Sequence, residues 1–319
     1  MKYIAITARG LEDISQKEIK EILKANSECV ADGRILFTTR SIDKLLQKTQ
    51  SIMKVYELHQ MCLMLKDIQP FPIESPFRVH CSRYGAHAFS SQEVERAVGE
   101  LFFKAGNTVD LKNSKTIVFV DIIDENIFVG VDKTPELLSK RAYRIKIHNQ
   151  SINACIAYGL VRLSGYNGKK IFLDPFSKDG IIAIEAALYK KGKIFAYDAL
   201  FPNVRSTEIN ATLAKVRKGI NISRIEPEWL DTKFQKGEVD IVVSSLPFAS
   251  KSNPEKDVRK LYKELFYQLA FILKKNGKLV FIVPKADLLK EMAVGFVAVE
   301  ERIVSTSSLL YSIIIFKKE

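Results

Sequence analysis

The feature that most constrains this chain is the order of its elements after residue 150. Apolar runs of strand length at 170–173, 193–197, 221–225, 239–244 and 278–283 alternate with stretches of helical spacing at 180–189, 204–216 and 258–273, after a leading helix over 152–163. Strands that follow one another through helices need crossover connections, and crossovers make neighbours parallel. The expectation is therefore an α/β sheet covered by helices on both faces. The alternation then breaks: 296–304 and 309–316 are consecutive strand-like runs separated only by 305–308. That ending predicts an antiparallel pair at the edge of a mostly parallel, seven-stranded sheet.

The first half reads differently. A strand at 3–7 leads to a helix whose start looks like a capping box, Ser15-Gln16-Lys17-Glu18, ahead of Ile19, Ile22 and Leu23 at helical spacing. A strand at 34–38 after Asp32-Gly33, a helix at 41–48 and an alternating segment at 55–65 complete a small α+β unit. Gln69-Pro70-Phe71-Pro72 and Ser75-Pro76 then mark a boundary. Beyond it lie a strand at 78–83, a helix opened by the capping box Ser90-Ser91-Gln92-Glu93, and strands at 116–121 and 126–131 joined at Asp124-Glu125.

Composition narrows the class. With 47% hydrophobic and 27% charged residues the chain can bury several cores, and neither a disordered nor a collagen-like chain has this balance. Its longest apolar run, 308–316, is too short to span a bilayer, and the acidic Glu12 and Asp13 follow the first strand where a secretory signal would stay apolar. A cytoplasmic protein without membrane contact is expected, working as a single copy. Cys29, Cys62, Cys81 and Cys155 form no C-x-x-C pair, and neither His87 nor His148 has a cysteine or carboxylate at ligand spacing, so no metal is expected. The net charge is +12, of which +9 falls in residues 148–319, and this points to a polyanion such as nucleic acid. A lysine-rich, solubilising surface would produce the same excess.

In an open α/β sheet, ligands bind beyond the carboxyl ends of the strands. The first such loop is Asp174-Pro175-Phe176-Ser177-Lys178-Asp179-Gly180, leading into a helix with Glu185. Asp198 follows the next strand, where a carboxylate can accept from a ribose diol, and Glu228 beside Trp229 follows the third. The fourth loop, Ser244-Ser245-Leu246-Pro247-Phe248-Ala249-Ser250, offers a proline and an aromatic for stacking on a flat base. Each is weak alone, since strand-end carboxylates cap helices and a Leu-Pro-Phe turn can plug a core. Their occurrence in order, each after its own strand, carries the argument. The serines at 177, 244 and 245 lack the G-x-S-x-G elbow of a serine hydrolase.

With these residues in view, the chain resembles the THUMP-containing tRNA guanine-N2-methyltransferases that act on guanosine 6 of the acceptor stem. Residues 174–187, read Asp-Pro-Phe-Ser-Lys-Asp-Gly-Ile-Ile-Ala-Ile-Glu-Ala-Ala, are similar to the family's D-P-F-C-G-S-G-T-I-x-I-E-A-A cofactor loop, and Ser245-Leu246-Pro247-Phe248-Ala249 to its N/D-L/P-P-F/Y-G catalytic loop. Residues 85–91, 109–113 and 138–144 are similar to segments through the THUMP domain and its exit. The resemblance implies a ferredoxin-like domain at 1–65, a THUMP domain at 66–147 and a Rossmann-like methyltransferase domain at 148–319. It implies S-adenosylmethionine (SAM) as cofactor, with Asp174, Phe176, Gly180, Glu185, Asp198 and Glu228 around it. Ser245, Pro247 and Phe248 would grip a flipped guanine, and Arg83 and His87 would contact tRNA, although His87 can equally fix a turn. From the residues themselves, Arg141 and Arg144 flank Tyr143 in a basic-aromatic cluster expected to contact RNA phosphate and stack, while Lys140–Lys146 reads equally as a solvated linker.

Two departures from the pattern stand out: Lys178 replaces the first loop glycine, and Ser245 replaces Asn or Asp at the head of the catalytic loop, where Ala249 also replaces the usual glycine. They set up two readings, an RNA methyltransferase or a tRNA-binding protein whose methyltransferase domain has lost its activity. A DNA amino-methyltransferase shares the catalytic loop, but the THUMP-like half argues against it.

Overall fold

The computed structural model describes residues 1–251, 253–306 and 309–319, in two compact units. The first unit comprises Met1–Thr7 and Ser15–Leu138, the second Ala8–Ile14 and Ser139–Glu319. Within the first, β1 (Lys2–Thr7), α1 (Glu12–Leu23), β2 (Ser27–Ala31), β3 (Arg34–Thr38), α2 (Asp43–Lys48), β4 (Ile52–Cys62), β5 (Phe77–Tyr84), α3 (Ser91–Lys104), β6 (Thr116–Ile123) and β7 (Asn126–Asp132) follow in order, α1 bridging the unit boundary. Their seven strands form one sheet, β2-β3-β1-β4-β7-β6-β5. The long β4 pairs with β1 through its first half and with β7 through its second, so one sheet runs through both stretches read as separate modules. A buried ion pair ties the same two stretches: Arg34 donates to both oxygens of Asp121 at 2.5 and 2.7 Å, and the Tyr56 hydroxyl donates to Asp121 at 3.1 Å.

The capping box at Ser90 forms as expected, the serine accepting from the Glu93 amide while the Glu93 carboxylate accepts from Ser90. The one expected at Ser15 does not. Helix α1 begins at Glu12, which puts Ser15 inside it, with its hydroxyl 2.6 Å from that of Thr7. The Glu18 carboxylate is drawn instead to Thr49 Oγ1, to the amides of Gln50 and Ser51 and to the Ser51 hydroxyl, four donors that outcompete a single cap. Strand β2 was not foreseen. It is an edge strand with no fully buried residue, so it carries no apolar alternation.

The second unit contains α4 (Ala154–Ser164), β8 (Phe172–Asp174), α5 (Ile181–Tyr189), β9 (Ile194–Asp198), α6 (Phe201–Leu213), β10 (Ile220–Arg224), β11 (Val239–Ser245), α7 (Glu255–Ile272), β12 (Leu273–Val283), α8 (Asp287–Met292), β13 (Phe296–Ser305) and β14 (Leu310–Lys318). Its sheet has the order β10-β9-β8-β11-β12-β14-β13, parallel up to β12, with β14 antiparallel to both β12 and β13. This is the mostly parallel seven-stranded sheet the sequence predicts. The connection between the last two strands falls partly outside the described residues. One apolar core gathers α4, α5 and α6, and a second gathers α7 and α8. Helix α5 is buried along Ile181–Ala186, which is why its sequence shows little amphipathic contrast and a single charge, Glu185. No described helix is long and apolar enough to cross a membrane.

Candidate active site

Parallel strands present their carboxyl ends along one edge, so the ends of β8, β9, β10 and β11 open together. At the end of β8, Asp174 is 1% exposed. Its Oδ1 accepts from the Ser244 hydroxyl at 2.6 Å and the Phe176 amide at 3.3 Å, whereas Oδ2 is buried with no partner. Burial pushes this carboxyl up to about 7, against the pull of the two hydrogen bonds and of Lys178. Phe176 lies in the core with Leu173 and Leu246. Gly180 has φ +83°, and a Cβ there would stand 2.6 Å from Thr207 Cγ2, so close packing against α6 requires the glycine.

Lys178, buried, adopts a left-handed backbone conformation with φ +52°, costly for a residue with a Cβ. Its amide donates to Asp198 Oδ2 at 2.9 Å. Its amine reaches Gln150 O at 3.3 Å and Ser245 Oγ at 3.1 Å. Burial draws the amine down to about 8, opposed by Asp174, Asp198 and Asp179.

Asp198 Oδ1 also accepts from the Leu200 amide and Asn203 Nδ2, both at 3.0 Å. A carboxylate has about four acceptor positions, so one remains for a hydroxyl. Glu228 is exposed and lines, with Ala199, Glu226 and Pro227, a hollow of about 300 Å³ beyond the ends of β9 and β10. At the end of β11, Ser245 is 8% exposed. The Pro247 carbonyl accepts from the Tyr262 hydroxyl and the Phe248 carbonyl from Asn253 Nδ2, which fixes the turn. Ser245, Phe248, Gln150, Pro284 and Tyr311 line a second hollow of about 320 Å³.

Four expected site residues are engaged elsewhere. Glu185, expected beside the cofactor, is fully buried and accepts from Arg141 Nε at 2.8 Å and from the Tyr143 hydroxyl. Arg144 donates twice to the buried Asp179, at 2.9 and 3.0 Å. Arg141, Tyr143 and Arg144, expected on tRNA, thus bind carboxylates of the α5 region and pin the segment 139–152, with Gln150 on it, beside the cleft. Asn210 joins them, bracketing Lys146 through both its amide and its carbonyl. The basic-aromatic cluster Lys140–Lys146 looks like a phosphate site in sequence because its carboxylate partners are some forty residues away. Sequence reasoning missed Gln150, Asn203 and Asn210, isolated polar residues without a motif. The charge at Lys178 was legible, but its partner was not.

In the first unit, Arg83 and His87 stand together near Phe89: the guanidinium lies 5.8 Å from that ring and the imidazole is 5.2 Å from it. His87 Nε2 bonds the Asp124 carbonyl at 2.7 Å, which holds the turn between β6 and β7. His87, Phe89, Leu63 and Met64 line a hollow of about 610 Å³. Among the described residues there is no cluster of metal-ligating side chains.

The sheet order with its antiparallel penultimate strand, and the acidic loops after β8 and β9 facing an aromatic loop after β11, define a Rossmann-like methyltransferase. Residues 141–309 match the family profile described as RMKL-like, methyltransferase domain, just over half the chain, and residues 40–132 match that of the THUMP domain. This chain belongs to the THUMP-containing tRNA guanine-N2-methyltransferase family. It is 30% identical to the tRNA (guanine(6)-N2)-methyltransferase of Thermus thermophilus over 76% of this chain and 72% of that protein. With the enzyme of the same name from Archaeoglobus fulgidus it shares 25% identity over 99% of this chain and 92% of the relative. The crystal structure of TrmN from Thermus thermophilus superposes with a TM-score of 0.83 at 25% identity, covering 100% of this chain and 99% of that one. SMU.472, solved as a complex with SAH, has the same fold at 16% identity, covering 100% of this chain and 98% of that one, with a TM-score of 0.80.

The residues present fit SAM. The buried, unpartnered Asp174 Oδ2 is an acceptor for an α-ammonium group, Asp198 retains an acceptor for a ribose hydroxyl, and the hollow at Glu226–Glu228 has room for a flat base.

Proposed function

We propose that this protein methylates N2 of a guanosine in tRNA, at position 6 of the acceptor stem, with SAM as donor. The observation that carries the reading is the convergence of Asp174, Asp198 and Ser245 from three strand ends on one cleft, next to a hollow lined by Phe248. Relatives similar over more than nine-tenths of this chain bear the name tRNA (guanine(6)-N2)-methyltransferase.

SAM supplies an electrophilic methyl group on a sulfonium. The protein's part is positioning, because a nitrogen whose lone pair is delocalised into the ring attacks only when held in line. Asp174 and Asp198 hold the donor, and an ammonium placed at Asp174 Oδ2 returns this carboxyl to its charged form. The target base leaves its helix for the 320 Å³ hollow, where Phe248 stacks on it and Ser245 Oγ accepts from its amine. Glu228 borders the hollow for the adenine.

Residues 1–65 and 66–147 serve as ferredoxin-like and THUMP parts that dock the tRNA, with Arg83 and His87 on the RNA face, and 148–319 as the methyltransferase domain. The excess of basic residues supports a phosphate-following surface. The free cysteines fit a reducing, cytoplasmic setting.

The test is transfer of labelled methyl from SAM to unmodified tRNA, followed by nucleoside analysis. N2-methylguanosine in the acceptor stem is expected. A wild type that binds tRNA but modifies none would leave a binding protein.

A further inference from the structure

Two of the positions at which this chain departs from its family's loops are 67 residues apart in sequence and touch in the fold: Lys178 Nζ lies 3.1 Å from Ser245 Oγ. Both side chains are buried. The lysine's second contact, Gln150 O at 3.3 Å, belongs to a residue that with Ser245 lines the hollow assigned to the base. A left-handed backbone at Lys178, pinned by Asp198, aims a long cationic side chain inward, where a surface lysine would extend into water. That arrangement disfavours drift at an unused loop, which would leave the lysine exposed.

Chemistry gives the contact a task. When the amine nitrogen bonds to the incoming methyl it holds one proton too many. A serine hydroxyl can accept an N–H hydrogen bond but is too weak a base to keep the proton. An uncharged amine beside it can.

We propose that Lys178 and Ser245 work as one proton-accepting unit for the target amine, Ser245 touching the base and Lys178 acting through it. The inference rests on the function proposed above. The nitrogen lone pair forms the new N–C bond, and the C–S bond breaks with its electron pair left on sulfur. One proton passes from N2 to Ser245 Oγ while the hydroxyl proton passes to Lys178 Nζ. The products are a neutral methylated amine, a thioether, an intact serine and a lysine ammonium, which releases its proton to water before the next turnover.

The charged and titratable groups facing Lys178 are Asp174 at the end of β8, Asp179 in the same loop, Asp198 at the end of β9 and His148 ahead of α4. The amine nevertheless lies near 8, so a substantial share of the protein holds it uncharged at mildly alkaline pH.

The experiment measures single-turnover methyl transfer from pH 6 to 9.5 and, on the same protein labelled with [13C]lysine, the titration of the Lys178 ε-carbon by NMR, assigned by its loss in Lys178→Met. The expected wild-type rate rises through a midpoint that coincides with the NMR midpoint near 8. Lys178→Met should slow transfer at least tenfold and remove that limb. Lys178→Gly combined with Ser245→Asn replaces the pair by an amide acceptor, and should recover rate without the limb even where Lys178→Met folds poorly. A lysine that stays charged past pH 10, or an active Lys178→Met variant that keeps rate and limb, overturns the proposal alone. A folded wild type silent on every tRNA at every pH overturns the proposed function and the inference with it.

Discussion

Replacing Glu185 by alanine separates two roles for a residue that the sequence places beside the cofactor and the structure places under the segment 139–152. Glu185 accepts from Arg141 Nε at 2.8 Å, from Arg141 Nη2 at 3.2 Å and from the Tyr143 hydroxyl at 2.5 Å, and it is fully buried. Its loss leaves the Arg141 guanidinium, whose side chain is 12% exposed, without this carboxylate. Removing one member of a buried pair costs about 3–5 kcal/mol. For a unit of this size each kcal/mol shifts Tm by roughly 2–4 °C, so Glu185→Ala should melt about 6–20 °C lower. Glu185→Gln keeps the shape and one acceptor and should lose less, about 1–3 kcal/mol. The assay is thermal unfolding followed by circular dichroism, with SAM affinity by calorimetry below the melting range. Folded Glu185→Ala should retain SAM binding within a few fold. A variant with unchanged Tm and abolished SAM binding would refute the structural role.

Three further outcomes are expected. The folded-state value of Lys178, about 8, lies below its unfolded value of 10.5. The stability linked to it is therefore complete above 10.5 and is lost as pH falls through 8, up to about 3 kcal/mol. Denaturant melts of wild type should gain that much relative to Lys178→Met between pH 8 and 10.5, and parallel curves would contradict the shift. Asp198→Ala should weaken SAM at least tenfold by calorimetry, since both the diol acceptor and the anchor of the Lys178 amide disappear; an unchanged Kd would remove Asp198 from the site. Gly180→Ala should destabilise by about 1–3 kcal/mol through its φ of +83° and the clash with Thr207, with Thr207→Ser recovering only the steric share in chemical denaturation.

What the sequence by itself determined is whatever period and order encode. Strand–helix alternation set the parallel sheet, the consecutive runs at its end set the antiparallel pair, and Asp174, Asp198 and Ser245 sit at strand ends because polar residues there follow apolar runs directly. Those signals are local, and they survived. What only the tertiary structure decided is pairing between side chains far apart in sequence. Arg141 and Tyr143 read as RNA contacts until Glu185 lies against them, Ser15 reads as a cap until Thr49, Gln50 and Ser51 draw off Glu18, and Lys178 reads as a damaged glycine position until Ser245 stands 3.1 Å from its amine. The physical reason is common to all three. A charged or polar side chain has no fixed role until burial removes water as its partner, and which partner replaces water depends on the packing of the whole sheet and not on its neighbours along the chain.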